Sequence, residues 1–326
     1  MKKLYPLKFK AVFKERIWGG QKIRTSLGLN FSPLPNCGEA WVISGVPSNQ
    51  TVVSNGFLRG NELNELVEVY MDDLVGEKIF EKSPNEFPIL VKFIDSNEYL
   101  SIQVHPDDDL AAKRGIGSGK TEMWYILDSE KDAELINGFS KPVTRDIYLE
   151  HLEKNTLKSI LNVEKVCRDE VYFIPSGRIH ALGPGILLAE IQQTSDTTYR
   201  IYDWDRVDSQ GKPRELHTDL ALDAINFSIP DTYRTNYRKE PNQSVNLVDS
   251  PWFVTNLIEF DKVFIKNYTE LDSFVIYICI DGDARMNYDG GNLELRKGET
   301  VLIPALMEKV QLFPDRKCKI LEVYIP

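Results

Sequence analysis

Apolar residues along the chain fall mostly into short runs that are separated by Gly, Pro, Asn and Asp. Four runs of this kind are residues 87–94, 171–174, 186–191 and 274–280. Runs of this length between turn residues are typical of strands, and a long series of them indicates a sandwich, a jelly roll or a barrel. The pattern therefore predicts a mainly β protein.

Helical spacing is confined to a few segments. Between residues 61 and 74 apolar side chains recur every three or four positions, which is typical of one helix face. Thr144 can cap a second helix, and residues 216–225 form a third, shorter candidate. We therefore predict short helical inserts on a β framework, with the main ones at about 59–83 and 144–161.

The chain also divides into two parts. A polar, linker-like stretch at residues 240–246 precedes a new series of strands. The segment 169–175 resembles 297–304, because each reads as a polar turn, an apolar strand and a proline. We therefore predict two related β-barrel domains, a first at 1–245 and a C-terminal one at 246–326.

Composition and charge exclude some classes of function. The chain has 326 residues and a net charge of −10, and nucleic-acid binding needs a basic surface that such a chain lacks. No segment approaches the roughly 18 apolar residues of a membrane span, and no apolar run of signal-peptide length follows the N-terminus. The four cysteines are scattered, which predicts free thiols in a reducing compartment. We expect a cytoplasmic protein, either a monomer or a weak homodimer, that binds neither nucleic acid nor membranes.

A predicted strand before Pro106 carries an alternation of polar and apolar side chains. Ser101, Gln103 and His105 share one face of this strand, because successive side chains point to opposite faces. The apolar residues between them fill the other face. This arrangement fits a strand with one side in the core and the other lining a pocket.

Further candidate ligands lie in two later segments. Glu122 follows Lys120 by two positions at the start of a strand, and His180 ends a Pro-x-Gly-x-x-His turn. Together with His105 they supply two imidazoles and a carboxylate, which suit a catalytic divalent metal with an open position. Gln103 is the weakest candidate, because amides are poor zinc donors, and the alternative is a hydrogen-bonding partner of a ligand.

The second domain lacks these ligands. At the places that match Gly177 and His180 in the repeated segment it has Leu306 and Lys309, and no histidine follows His217. We therefore expect a metal site in the first domain only.

Six motifs together resemble the type I mannose-6-phosphate isomerases in their short bacterial form. They are residues 18–20 (WGG), 38–41 (GEAW), 100–108 (LSIQVHPDD), 120–124 (KTEMW), 175–182 (PSGRIHAL) and 198–204 (TYRIYDW). The resemblance implies a cupin fold, one zinc ion per chain, and interconversion of mannose 6-phosphate with fructose 6-phosphate. It maps the family's metal ligands onto Gln103, His105, Glu122 and His180, and its active-site arginine onto Arg200. The large helical domain of longer members is mostly missing here.

The implied reaction moves a proton between C1 and C2 of the sugar through an enediol, so the site needs a base and positive charge. We expect Glu190 to be the base, because it stands in an apolar strand where burial would raise its pKa. Arg200 can stabilise the enediolate or hold the substrate, and Asp196 can orient Arg200 or relay a proton. Lys120 can bind phosphate or assist proton transfer, and Ser101 can donate a hydrogen bond to phosphate.

Two other functions fit part of this pattern. Two histidines and one carboxylate also form the iron site of non-haem oxygenases, so an iron-dependent cupin oxygenase is the main alternative. A sugar-binding cupin without catalysis is the second. It would bind ligand without turnover, and the full ligand set with Glu190 argues against it.

Overall fold

The computed structural model describes residues 3–207 and 210–326. Within these ranges the chain forms 22 strands in four sheets, together with six α-helices and two short 3-10 helices. The strands are β1 (Leu7–Lys10), β2 (Val12–Lys14), β3 (Glu39–Ile43), β4 (Val52–Val53), β5 (Ile89–Ser96), β6 (Ile102–Val104), β7 (Glu122–Ser129), β8 (Glu134–Phe139), β9 (Leu161–Lys165), β10 (Val171–Ile174), β11 (His180–Leu182), β12 (Ile186–Gln193), β13 (Tyr199–Tyr202), β14 (Gln243–Asp249), β15 (Val254–Phe260), β16 (Phe264–Asn267), β17 (Val275–Asp281), β18 (Ala284–Tyr288), β19 (Gly291–Leu295), β20 (Thr300–Ile303), β21 (Lys309–Pro314) and β22 (Cys318–Tyr324). The α-helices are α1 (Lys22–Thr25), α2 (Leu63–Val75), α3 (Glu77–Lys82), α4 (Asp108–Arg114), α5 (Arg145–Glu153) and α6 (Thr218–Ala224), and the 3-10 helices are Pro47–Asn49 and Leu157–Ile160. The prediction of a mainly β protein is confirmed.

Two sheets hold the candidate site residues. One has six strands in the order β10-β7-β12-β5-β3-β2, and the other has five in the order β13-β6-β11-β8-β9. Neighbouring strands in both sheets run antiparallel. Side chains from the two sheets meet in the interior between them, where the candidate ligands lie.

The other two sheets come mainly from the C-terminal part of the chain. One has four strands in the order β16-β21-β18-β19, and the other has seven in the order β14-β15-β22-β17-β20-β1-β4. The N-terminal strand β1 pairs with β20, with Leu7 opposite Leu302. The seven-stranded sheet therefore takes strands from both sides of the division at residue 245, and that division stays a prediction.

The six-stranded sheet is buried on both faces. Every residue of β5 and β12 is buried. One face of these strands packs in the largest apolar cluster, where Val91 and Ile191 join Leu257, Ile276 and Leu321 of the seven-stranded sheet. The other face looks into the interior with the candidate ligands. Burial on both sides explains why these strands read as nearly continuous apolar runs.

Helices cover the outer face of the five-stranded sheet. The apolar cluster there joins Tyr148 of α5 and Ala221 of α6 to Ile102 and Val104 of β6. The alternation predicted for this strand therefore holds at these two positions, and Gln103 between them points inward. Helices α2, α3 and α5 fall within the predicted inserts. Among the described residues, no helix has both the length and the apolar character that a membrane crossing needs.

The caps of two helices follow the sequence signals. The Oγ1 atom of Thr144 accepts a hydrogen bond from the Ile147 amide at 3.3 Å, as expected for the start of α5. Asp107 caps α4 in the same way by accepting from the Leu110 amide at 2.8 Å. Helix α4 follows β6 directly, so this cap fixes the chain where it leaves the candidate ligand strand.

The two halves of the protein repeat one arrangement. Glu190 on β12 lies opposite one residue on each neighbouring strand, and Glu322 on β22 does the same. The matching pairs are Glu190 with Glu322, Trp124 with Tyr277, and Lys92 with Asn256. The registers thus support the predicted relation between the domains.

Glu322 has its own compensating partners. Lys266 Nζ lies 2.9 Å from one Glu322 oxygen, and the Tyr268 hydroxyl donates to the same carboxylate at 2.6 Å. Asn256 Nδ2 donates to the other Glu322 oxygen at 2.9 Å, so protein groups match both carboxylate oxygens and the charge. The expectation that this domain binds no metal stays a prediction.

All four cysteines are free thiols, as predicted. Two of them are distant in the sequence but close in the fold: the Sγ atoms of Cys279 on β17 and Cys318 on β22 lie 3.8 Å apart. Both side chains are buried in the second domain.

Candidate metal and substrate site

His105, Glu122 and His180 converge in the interior between the two sheets. Each offers one ligand atom, and these atoms all lie within 4.8 Å of one another. The His105 Nε2 atom is 3.5 Å from Glu122 Oε2, and His180 Nε2 is 3.4 Å from Glu122 Oε1. All three side chains are buried. The strands therefore bring together the three residues that the sequence singled out.

Both imidazole rings are oriented through their Nδ1 atoms. Nδ1 of His105 lies 3.0 Å from the Thr197 carbonyl oxygen, and Nδ1 of His180 lies 2.8 Å from that of Arg178. A carbonyl can only accept, so Nδ1 carries the proton and Nε2 directs its lone pair towards Glu122. This is how metal-binding histidines are usually held.

The inward-facing atoms of the triad lack partners. Within residues 3–207 and 210–326, the Nε2 atoms of His105 and His180 and the Oε2 atom of Glu122 are buried without a hydrogen bond. Buried polar atoms are rarely left unpaired, and three around one point are what a bound cation would satisfy. The residues present therefore fit a divalent metal ion.

The pKa values agree with this assignment. Burial, aided by the Lys120 charge, lowers the pKa of His105 well below its ordinary value. Burial also lowers the pKa of His180 to about 4, so both rings are neutral, the form that binds metal. Burial and the Glu190 charge raise the pKa of Glu122 to about 7. This carboxylate is thus short of compensating positive charge.

Gln103 lies between the triad and the candidate arginine. It is opposite His180 on β11 and opposite Arg200 on β13. Residues opposite each other on neighbouring strands point to the same face. Gln103 therefore sits beside His180, within the interior, and its role as a fourth ligand stays a prediction.

A cavity of about 620 Å³ opens over this region. The triad is buried behind its wall. The six other residues predicted for the site all line it: Ser101, Gln103, Lys120, Glu190, Asp196 and Arg200. Lys120 Nζ is 3.5 Å from Glu122 Oε2, so this ammonium joins the cavity to the metal ligands.

The environment of Glu190 differs from the expectation. Its Oε1 atom accepts a hydrogen bond from Lys92 Nζ at 2.8 Å, and its Oε2 atom accepts one from Trp124 Nε1 at 2.9 Å. Burial acts to raise the pKa of Glu190, but the charges of Lys92 and Lys120 and these hydrogen bonds outweigh it and lower the pKa to about 2. The expected rise of this pKa is wrong, because the sequence did not show the cation on the neighbouring strand.

Asp196 does not orient Arg200 in the way that the sequence suggested. It is exposed at the cavity rim, and no hydrogen bond or ion pair joins it to Arg200 among the described residues. Arg200 Nη1 instead donates to the Glu215 carbonyl oxygen at 2.8 Å. The role of orienting Arg200 therefore belongs to a backbone group of the loop that returns to β13.

Several cavity residues were not singled out from the sequence. Lys92 is the main one, and the signal for it was a lone charge in the apolar run 87–94, which Glu190 repeats in its own strand. The others are Arg206 and Arg214, which both bind the Asp203 carboxylate. Their pairing depends on the path of a loop, which no local pattern reveals.

Comparisons with known proteins point to one family. The sequence matches the phosphomannose isomerase type I catalytic domain over residues 6–137 and the mannose-6-phosphate isomerase cupin domain over residues 252–325. Mannose-6-phosphate isomerase ManA of Bacillus subtilis (strain 168) is 36% identical over 316 residues, which cover 96% of this chain and 97% of that protein.

Solved structures agree. The crystal structure of the mannose 6-phosphate isomerase from Bacillus subtilis has a TM-score of 0.88 at 32% identity, covering 98% of this chain and 99% of that one. A crystal structure of mannose 6-phosphate isomerase bound with zinc and yttrium shares the fold, with a TM-score of 0.78 at 17% identity over 99% of this chain and 100% of that one. The predicted cupin fold is confirmed.

Proposed function

The chain belongs to the type I phosphomannose isomerase family, and we propose that it interconverts mannose 6-phosphate and fructose 6-phosphate with one zinc ion held by His105, Glu122 and His180. The observation that carries the proposal is the buried triad with three unpartnered atoms beside a cavity lined by a carboxylate and several cations. Gln103 would complete the ligand set from the neighbouring strand.

Zinc is the metal that this donor set favours, because two imidazoles and a carboxylate with an open position are typical of catalytic zinc. When bound, such an ion supplies a Lewis acid that polarises the oxygens at C1 and C2 of the sugar. The same triad would suit iron, but family membership favours the isomerase over the iron oxygenase.

Glu190 is our proposed base. Its lowered pKa keeps it ionised at neutral pH, so it is always ready to accept the proton from one sugar carbon and return it to the other. A weakly basic carboxylate gains little driving force for proton abstraction. The enediolate must therefore be stabilised strongly, and the Arg200 and Lys120 cations in the cavity wall provide that charge.

A coupled assay tests the proposed function directly. Purified protein loaded with zinc should form fructose 6-phosphate from mannose 6-phosphate without consuming oxygen. Oxygen consumption without isomerisation would instead support the iron oxygenase, and substrate binding without either reaction would support a binding protein.

Glu190→Gln should bind mannose 6-phosphate nearly normally but exchange the sugar C1 or C2 proton with solvent deuterium about 100-fold or more slowly. The amide has a similar shape and cannot take the proton, and general acid–base catalysis contributes about 10²- to 10⁴-fold. The measurement is the exchange rate by NMR. Glu39→Gln, which changes a cavity carboxylate paired with Arg16, is the matched control. Near-normal exchange in Glu190→Gln would move the base to Lys120, with Asp196 as relay.

Lys92→Met should move the acid limb of the kcat/KM profile to higher pH. The charge of Lys92 helps to lower the pKa of Glu190 to about 2, whereas burial acts to raise it. When Lys92 is removed, the effect of burial is less well balanced, so the pKa of Glu190 rises. Glu190 would then become protonated, and inactive as a base, at a higher pH than in the original protein. Lys14→Met removes another cavity ammonium and should leave the limb in place. An unmoved limb in Lys92→Met would show that Glu190 is not the group that this limb reports.

A further inference from the structure

Three arginines crowd one part of the cavity wall around a single carboxylate. Arg200, Arg206 and Arg214 all line the cavity together with Asp203. Asp203 is buried, while side chains of Arg206 and Arg214 are 17% and 32% exposed. The three guanidiniums exceed the single buried carboxylate by two positive charges, because arginine stays protonated in proteins.

Asp203 binds two of these arginines at once. Its Oδ1 atom accepts a hydrogen bond from Arg206 Nη2 at 2.5 Å, and its Oδ2 atom accepts one from Arg214 Nε at 2.7 Å. Arg206 Nη1 also donates to the Tyr99 carbonyl oxygen at 2.6 Å. Burial acts to raise the pKa of Asp203, but the hydrogen bonds from Arg214 and Arg206 outweigh it and lower that pKa, so the carboxylate stays charged.

The chain path brings Arg214 back to the cavity. Val207, next to Arg206, forms a β-bridge with Pro213, next to Arg214. The His217 amide then donates to the Arg200 carbonyl oxygen at 2.7 Å, and the Arg200 amide donates to His217 Nδ1 at 3.1 Å. The returning segment is thus fixed to β13 on one side and to Asp203 on the other.

Most of the other cations of the cavity form an ion pair with a carboxylate. Arg16 pairs with Glu39 at 2.7 Å, Lys92 with Glu190 at 2.8 Å, and Lys120 with Glu122 at 3.5 Å. Among the described residues, Arg200 forms no ion pair, and its Nε atom is buried without a partner. Burial first, and then the Arg214 charge, lower the pKa of Arg200, which reflects the same excess of positive charge.

We propose that Asp203 is a positioning residue that holds Arg206 and Arg214 as a clamp for the phosphate dianion of the substrate, with Arg200 supplying the third positive charge. The excess charge of this cluster equals the charge of the dianion. Arg200 is opposite Gln103, so it lies between the metal ligands and the clamp. The reacting carbons then face the triad while the phosphate is held further along the wall. This inference rests on the proposed function.

Fixing the arginines before binding explains the use of a buried carboxylate. A free guanidinium side chain loses about 2 kcal/mol of rotamer entropy when it is immobilised. Asp203 already holds both side chains through its own hydrogen bonds. Their remaining N–H groups can donate to phosphate in the planar geometry that favours bidentate binding.

The clamp is tested by separating binding from chemistry in zinc-loaded protein. Arg214→Gln and Asp203→Asn should each raise the KM for mannose 6-phosphate about 10- to 100-fold, with kcat changed by less than about threefold. Asp203→Asn leaves all three arginines in place, so a raised KM in this variant reports their positioning. The affinity for inorganic phosphate, measured by calorimetry, should fall by a similar factor in both variants.

A control variant and a variant at a rival phosphate site complete the test of the clamp. Arg168→Gln changes an arginine that pairs with Asp281 and Asp169 outside the cavity and should leave both constants unchanged. Lys14→Gln tests the rival position, because Lys14 lines the cavity and its hydrogen bond in the described part of the chain goes to the neutral Asn49 side chain. Unchanged constants in folded Arg214→Gln and Asp203→Asn, with a raised KM in Lys14→Gln, would overturn the clamp.

Calorimetry also separates the clamp from the proposed function. If the original protein fails to isomerise mannose 6-phosphate yet loses phosphate affinity on Arg214→Gln, the function is wrong and the clamp stands. If a variant is unstable in thermal unfolding, Arg214→Lys replaces it. The ammonium keeps the charge but loses the fork, so phosphate affinity should fall by an intermediate factor.

Discussion

Chelation of the metal should abolish isomerase activity, and zinc should restore it more fully than other divalent ions. The reason is the buried triad of His105, Glu122 and His180, whose inward-facing atoms form no hydrogen bond with the described residues. Activity and metal content, measured by elemental analysis on the same samples, should fall and recover together. Full activity in protein shown to be metal-free would refute the metal site.

Variants of the ligands refine this prediction. His105→Ala or His180→Ala should lower metal affinity by more than about 100-fold, since loss of residues that only orient ligands already costs about 10- to 100-fold. Gln103→Ala should cost less, because an amide is the poorer donor for zinc. His151→Ala provides a matched control, because His151 is a partly exposed histidine on α5 outside the cavity. Equal losses in Gln103→Ala and His180→Ala would show that Gln103 contributes as much as an imidazole.

Arg200→Ala should lower kcat by about 100-fold or more. Loss of one preorganised donor to a developing oxyanion costs about 10²- to 10³-fold, and Arg200 is held in place by the Glu215 carbonyl oxygen. Arg200→Lys should recover only part of the rate, because an ammonium does not reproduce the planar fork. Steady-state kinetics with mannose 6-phosphate would measure both variants.

The contrast with the phosphate clamp makes this prediction specific. Arg200→Ala should act mainly on kcat, whereas Arg214→Gln should act mainly on KM. A raised KM with normal kcat in Arg200→Ala would place Arg200 wholly within the clamp and remove it from the chemical step.

Local patterns predicted well which residues converge in the candidate site. His105 and Gln103 were found from the two-residue period of a strand, and Glu122 from its place at the start of the next. The turn before His180 marked that residue in the same way. These signals span a few residues each, so the sequence displays them directly.

Contacts between distant segments were beyond such patterns. The Lys92–Glu190 pair depends on the register of β5 against β12, and this register reverses the expected direction of the Glu190 pKa shift. The pairing of Asp203 with Arg214 likewise depends on how a loop returns. The helices were easier to predict, because Thr144 and the apolar spacing in α2 are local signals.

The pairing of β1 with β20 imposes an order of events during synthesis. Leu7 and Lys8 are synthesised long before their partners Leu302 and Val301. Until then β1 presents an open strand edge, the kind of surface on which chains associate wrongly. Contacts so distant in sequence also form slowly. A nascent or truncated chain that lacks the last strands is therefore expected to need a chaperone, even though every residue of the metal triad has already been made.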